Sequence, residues 1–406
     1  MWLFYLFAAL VVWLGVDSLR GGFRYLAYVR REMQKELTRY TPYASIIAPV
    51  RGLDQGLGDN IAALFCQDYP AYEIIFVTDR ADDSSLVLIE EACARFVGRR
   101  SGVSARVIVA GAATESGQKV HNLSVAVGEV DAASEVLAFV DSDARVGRDW
   151  LRALVAPLSD ARMGATTGYR WFIPVKNGVA SHLRSVWNAS IASALGERAE
   201  KNFCWGGSTA IRRETFQTAN VLEHWRGAAS DDFALMRALQ AARLPVYFVP
   251  QCLTPSFEDC SLSELFEFTT RQLKITRVYA AHFWKAVLAG SLVFVAVFFG
   301  GIVLASARAA LGLSYAAPLT LVAIIFALGI GKAYVRLKAV TLALHEHRVQ
   351  VWRGLWAHLL LWPFASMLYL YNALAAAFSR RIVWRGITYE LKSPKETVII
   401  DHGTFQ

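Results

Sequence analysis

The chain has 406 residues, of which 55% are hydrophobic and 19% charged, with a formal net charge of +8. Together with a mean hydropathy of +0.33, this argues for a soluble domain joined to membrane segments rather than for two soluble domains. Lys and Arg crowd beside the apolar ends, so the positive charge points to anionic lipid headgroups and not to nucleic acid, and Cys66, Cys93, Cys204, Cys252 and Cys260 show no metal spacing or paired framework and fit reduced thiols.

Residues 2–16 are almost free of charge and are followed by Arg20, Arg24, Arg30, Arg31, Lys35 and Arg39. A signal peptide carries its basic residues before the apolar stretch. The reversed order here predicts an uncleaved anchor over residues 1–19 and a basic juxtamembrane linker over 20–44. By the positive-inside rule, residues 20–280 lie in the cytoplasm, at the inner cell membrane.

From residue 45 to 260, short apolar runs alternate with amphipathic segments, which predicts an α/β domain with a largely parallel sheet. Strands are expected at 45–50, 72–78, 105–109, 136–140, 165–172 and 246–249, with helices at 60–67, 84–97, 119–130 and 232–242. Residues 261–284 are expected to form an interfacial helix. A C-terminal helical membrane region follows over 285–379, in which 286–306 and 316–330 are the apolar runs and 352–378 is broken by Pro363. Residues 332–349 mix charge with apolar side chains and are expected to lie along the interface. Three complete crossings would put the tail, residues 380–406, outside. Its Arg380, Arg381, Arg385, Lys392 and Lys395 argue for the cytoplasm instead.

The chemistry lies at the strand ends. Residues 136–140 read Val-Leu-Ala-Phe-Val and end in Asp141-Ser142-Asp143. Positions i and i+2 of an extended chain share a side, and Mg²⁺ is commonly held by one or two carboxylates plus substrate phosphates. The pair therefore reads as a clamp for a metal–diphosphate, against a solvated turn as the plainer alternative. Pro49-Val50-Arg51-Gly52 ends the first strand, where Arg51 can border a base or phosphate. Asp79 ends the second, where it can accept from a base amide or a ribose hydroxyl, while Asp82 and Asp83 fit a helix cap. Lys119, at a helix start, adds charge beside a diphosphate. In Phe203-Cys204-Trp205-Gly206-Gly207, the glycines permit close backbone approach and Trp205 can pack on a sugar. In Ser230-Asp231-Asp232, Ser230 or Asp231 serves as cap, and Asp232 in the first turn is free to act as a general base.

Taken in order, Pro49–Gly52, Gln67-Asp68-Tyr69-Pro70, Asp79, Lys119 with Asn122, Asp141-Ser142-Asp143, Cys204–Ser208, Asp231-Asp232 and the tail Trp384-Arg385-Gly386-Ile387-Thr388-Tyr389-Glu390-Leu391 resemble the family 2 and family 21 nucleotide-sugar glycosyltransferases. The likeness is greatest to membrane-bound, ceramide-glucosyltransferase-like bacterial enzymes. The resemblance implies a GT-A fold, with a Rossmann-like and mostly parallel sheet, bearing one N-terminal transmembrane helix. It implies that Asp79 binds uridine, that Asp141 and Asp143 hold the diphosphate through Mg²⁺ or Mn²⁺ with Asp143 the more direct ligand, and that Asp232 is the catalytic base. In the family's Gln/Arg-x-x-Arg-Trp motif, Arg271 matches the arginine, but Gln272 stands in place of Trp and Phe268 in place of Gln or Arg.

The function expected is inverting, metal-dependent transfer of a hexose from a UDP-sugar to a membrane lipid hydroxyl, with Arg271 neutralising the leaving diphosphate. Ceramide, diacylglycerol and hopanoid-type acceptors all fit. The rival readings are a processive polysaccharide synthase, which needs more spanning segments, and a non-catalytic membrane scaffold, which has no need of four acids at strand and helix ends.

Overall fold

The computed structural model describes residues 2–98 and 101–402. Met1 and residues 403–406, parts of the expected anchor and tail, lie outside the described residues. The chain divides into two compact units. One comprises Met1–Arg31, Ile173–Ser193 and Asp259–Ser379; the other comprises Glu32–Phe172, Ala194–Glu258 and Arg380–Gln406.

The second unit is built on a seven-stranded sheet of β1 (Ala44–Pro49), β2 (Tyr72–Thr78), β3 (Val103–Val109), β4 (Val136–Val140), β5 (Ala165–Ile173), β6 (Ser208–Arg212) and β7 (Val246–Phe257), in the order β3-β2-β1-β4-β6-β5-β7. The β1–β2, β2–β3 and β1–β4 pairs are parallel, whereas β6 runs antiparallel to both β4 and β5. This is the mostly parallel α/β sheet expected from the sequence. Every residue of β2 and β4 is buried, as central strands covered on both faces must be. Edge strand β3 instead mixes exposed and buried positions. Helices Leu57–Phe65, Leu86–Phe96, Gln118–Gly128 and Asp231–Ala241 fall where the periodicity places them.

The structure adds to the sequence reading in this unit. β6 was not expected. β7 runs through Pro250 and Pro255 to Phe257, which its place at the sheet edge permits, since proline is confined to edge strands. The tail forms a second, antiparallel sheet of β8 (Arg381–Trp384), β9 (Ile387–Ser393) and β10 (Glu396–Asp401).

In the first unit, helices Trp2–Glu32, Ala281–Ala310 and Ala316–Ala343 are long and apolar enough to cross a membrane, and they are the three such helices among the described residues. Ala8, Val11, Val297, Phe298, Val322 and Ile325 form their shared apolar core. The third of these helices continues past Ile330 to Ala343, so Lys332 and Arg336 belong to it and not to a separate interfacial segment. The region expected at 352–378 is divided into Arg348–Arg353, Leu355–Leu360 and Trp362–Phe378. Pro363 opens the last of these, at a position where the missing N–H costs nothing. Helix Val179–Ala192, also unexpected, packs Trp187 flat on Tyr369 at 4.8 Å between ring centroids. Helix Leu262–Tyr279 starts at a capping box formed by Ser261 and Glu264.

Candidate active site

Parallel strands deliver their carboxyl ends to one edge of the sheet, where open α/β folds bind ligands. There, Arg51 after β1 and Asp79 after β2 approach to 3.5 Å between Nη1 and Oδ2. Asp79 is 7% exposed, and its Oδ1 is buried with no hydrogen-bond partner among the described residues. Such an orphaned acceptor costs free energy unless a ligand donor satisfies it. The Arg51 loop is fixed by Asp83, which accepts from the backbone N–H of Gly52 at 3.0 Å and from the N–H of Ser85 at 2.9 Å.

Beyond β4 the charges converge. Lys119 Nζ lies 2.6 Å from Asp141 Oδ1 and 3.2 Å from Asp231 Oδ1. Arg170, from β5, donates from Nη1 to Asp143 Oδ2 at 3.0 Å and from Nη2 to Asp141 Oδ2 at 3.2 Å. Its guanidinium carbon sits 4.9 Å from the Trp205 ring centroid, so Trp205 positions this arginine by a cation–π contact. Burial works to raise the Asp141 carboxyl, but Lys119 and Arg170 outweigh it and hold the group below the ordinary carboxylate range. Asp143 goes the other way: burial, with the neighbouring Asp141 charge, raises it despite Arg170. Lys119 is held above its usual value because Asp141 and Asp231 outweigh the cost of burial.

Asp141 and Asp143 thus converge on the Arg170 guanidinium, with Lys119 on the far side of Asp141. Among the described residues no group of three or more His, Cys, Asp or Glu is gathered to hold a metal by protein ligands alone. Two convergent carboxylates are nevertheless the usual protein share of a Mg²⁺ site completed by substrate phosphates. The donor set fits a divalent cation on those terms.

The two acids at the start of helix Asp231–Ala241 point to different partners. Asp231 is buried in the Lys119 cluster, and burial, partly offset by Lys119, pushes its carboxyl up to about 6. Asp232 is half-buried, and its Oδ1 accepts from the Ser230 hydroxyl and, at 2.7 Å, from the N–H of Phe233. Gly206 makes room for the cluster. A Cβ there would lie 2.2 Å from Asp231 Oδ2 and 2.8 Å from Lys119 Nζ.

Of the residues singled out from the sequence, Pro49, Arg51, Asp79, Lys119, Asp141, Asp143, Trp205, Gly206 and Asp232 all belong to the sheet unit. Arg271 belongs to the helical unit, where it lies 3.6 Å from Glu267 and over the Phe268 ring. Arg170 and Asp54, whose carboxylate accepts from the Ser142 hydroxyl at 2.6 Å, and the ionic role of Asp231 are added by the structure. A lone arginine inside an otherwise uncharged strand, Ala-Thr-Thr-Gly-Tyr-Arg-Trp-Phe-Ile, was the available signal for Arg170, since arginine is almost never buried unpaired. The Gln67-Asp68-Tyr69-Pro70 element proves to be a staple. Buried Gln67 donates to the carbonyls of Ala63 and Gly147 and accepts from the N–H of Leu151.

The sequence model of glycosyl transferase family 21 matches residues 7–397. Among solved structures, the chain is similar to the mannosyltransferase PcManGT from Pyrobaculum calidifontis, in complex with GDP-Man and Mn²⁺, at 15% identity over 92% of this chain and 98% of that one, with a TM-score of 0.45. It is also similar to glucosyl-3-phosphoglycerate synthase from Mycobacterium tuberculosis, in complex with phosphoglyceric acid, at 12% identity over 62% of this chain and 82% of that one, with a TM-score of 0.37.

Proposed function

The chain belongs to glycosyl transferase family 21, and we propose that it transfers one hexose from a UDP-sugar to the hydroxyl of a membrane lipid, with inversion. The observation that carries this reading is the edge of the sheet, where the orphaned Asp79 Oδ1 adjoins Arg51 and the convergent Asp141–Asp143 pair is flanked by Lys119 and Arg170. An acceptor for a base or ribose donor stands beside a mixed array of carboxylates and cations, which suits a nucleoside diphosphate with its counter-ion. A lone anion site would have no use for the acids.

In this reading Asp79 accepts from the uracil or ribose, with Pro49 and Arg51 bordering it. Asp141 and Asp143 would hold Mg²⁺ or Mn²⁺, which when bound neutralises charge developing on the diphosphate. Lys119 and Arg170 add preorganised positive charge to the same oxygens as the C1–oxygen bond breaks. Asp232 takes the proton from the acceptor hydroxyl as that oxygen attacks C1 from the opposite face. Its first-turn position leaves it beside the donor cluster and outside the Lys119 ion pairs. One observation favours Asp231 for the same role: a carboxyl near 6 is well matched to accept a proton at neutral pH. Trp205 and Gly206 shape the sugar side. Arg271 is retained for the leaving diphosphate on its motif alone.

A lipid acceptor is supported by the three apolar helices. The two after residue 280 would return the chain to its starting side, which agrees with the tail lying in the same compact unit as the sheet. We place that unit in the cytoplasm at the inner membrane, on the basic residues after the first helix. The test is release of UDP from UDP-hexoses by the purified protein, with and without lipid extract. Lipid-dependent release supports transfer to lipid; no release with any UDP-hexose overturns the reading.

A further inference from the structure

The β8–β9 connection is a two-residue turn. Trp384 pairs with Ile387, and Arg385 and Gly386 between them have φ of +51° and +78°. Such turns need positive φ at both central positions and favour Asn-Gly or Asp-Gly. An arginine in the left-handed region is uncommon, and residues held there cluster at ligand sites and switch regions.

The Arg385 side chain reaches back across the sheet unit. It donates from Nη1 to Asp54 Oδ1 at 2.5 Å and from Nη2 to Asp54 Oδ2 at 2.7 Å. Asp54 Oδ2 also accepts at 2.6 Å from the hydroxyl of Ser142, the residue between the two clamp acids. The Arg385 charge acts on both Asp141 and Asp143, and its side chain is 37% exposed. A guanidinium on a part-exposed side chain therefore borders the clamp.

Two further contacts lock the small sheet in place. Buried Tyr389, on β9, accepts through Oη from the backbone N–H of Gln118 at 3.2 Å, one residue before Lys119. The same ring feels the charges of Arg51 and Asp79. On β10, Thr397 donates from Oγ1 to the carbonyl of Gly227 at 2.7 Å, and a Cβ at Gly227 would lie 2.0 Å from the Lys395 carbonyl. The C-terminal sheet thus touches the Asp54 loop, the start of the Lys119 helix and the segment leading to Asp231. A solubilising tail has no need of three such anchors.

Building on the proposed function, we propose that Arg385 is a donor-binding residue. Its guanidinium forks onto the diphosphate oxygens of the nucleotide sugar, and Asp54 holds it preorganised until the donor arrives. The planar fork that now matches the Asp54 carboxylate matches a phosphate equally well. The C-terminal sheet is then a wall of the donor site, and its place in the fold is set by the need to deliver that turn.

The experiment measures UDP and uridine binding by calorimetry to full-length detergent-solubilised protein, in the wild type, R385A and the shorter, polar and neutral R385Q. A charge-assisted contact made only to phosphate predicts that both variants bind UDP ~10-fold or more weakly. Uridine affinity should stay within about twofold of wild type, because no contact to the nucleoside is lost. R385Q carries the test if R385A melts early. Unchanged UDP affinity in a folded variant overturns the assignment, and so does a parallel loss of uridine and UDP affinity, which would mean that Arg385 only supports the fold. Wild-type protein that binds neither ligand would overturn the nucleotide-sugar reading itself, and the proposal with it.

Discussion

The two acids at the start of helix Asp231–Ala241 can be separated by paired substitutions. In D232N, the amide oxygen can still accept from the Ser230 hydroxyl and the N–H of Phe233, the two bonds Asp232 makes locally. Asn caps a helix about as well as Asp, so the fold should be unaffected. What the amide cannot do is take a proton. Transfer at saturating donor should therefore fall by at least ~10²-fold, the lower end of a general base's usual contribution, while donor affinity is unchanged. In D231N, Lys119 keeps Asp141 at 2.6 Å and loses only the negative charge of the partner at 3.2 Å. Removing that negative charge leaves the diphosphate site more positive, so donor affinity should hold or improve and the rate should fall by less than ~10-fold. Stability gives an independent reading. A carboxyl raised from 3.8 to about 6 stabilises the fold fully below the lower value, and that contribution is lost as pH rises through about 6. The melting temperature of D231N relative to wild type should accordingly be more favourable above that window than below it. The assay is release of UDP at saturating donor, across pH. A large loss in D231N with little in D232N, together with disappearance of an acid limb near 6, would refute Asp232 and transfer the role to Asp231. Small losses in both would remove the pair from the proton transfer.

Asp143→Ala should abolish transfer while the protein stays folded and membrane-bound, and chelator should mimic it with reversal by Mn²⁺ or Mg²⁺; full activity in excess EDTA would sink the metal clamp. Gly206→Ala places a methyl within 2.2 Å of Asp231 Oδ2, so Asp231 and Lys119 must shift; transfer should drop with the circular dichroism spectrum intact, and wild-type activity would mean that the cluster is not needed. A cysteine replacing Lys392 in a cysteine-free background should resist a membrane-impermeant thiol reagent in intact cells, because the tail lies in the same compact unit as the sheet. Ready labelling there would place that unit outside.

The parts of the fold legible in the sequence were those whose burial is simple. β2 and β4 are buried on both faces, and β4 reads as an unbroken apolar run while β2 carries Ile-Ile-Phe-Val at its centre. β6, Ser-Thr-Ala-Ile-Arg, is short and mostly polar, and its strand character comes from pairing with β4 on one side and β5 on the other. Trp150 adds to this by donating from its indole N–H to the Ser208 hydroxyl at 2.8 Å. No local pattern announces such a strand. The site followed the same rule. Asp79, Lys119, Asp141 and Asp143 stood out because each sits at a strand end or helix start, where polar residues interrupt an apolar pattern. Arg170 lies within a strand, and its value depends on two carboxylates 27 and 29 residues away. Arg385 and Asp54 are 331 residues apart. Only the docking of the C-terminal sheet joins them, and hairpin turns in a basic tail gave no hint of it.

The central claim is single transfer of a hexose from a UDP-linked donor to a lipid. It is tested most directly by incubating the purified protein with a panel of labelled nucleotide sugars and a membrane lipid extract, then weighing the labelled products by mass spectrometry. The account predicts one UDP-sugar that labels a lipid with a single added hexose and releases UDP in equal amount. A ladder of polymer lengths, or label that never enters lipid from any UDP-sugar, would contradict it.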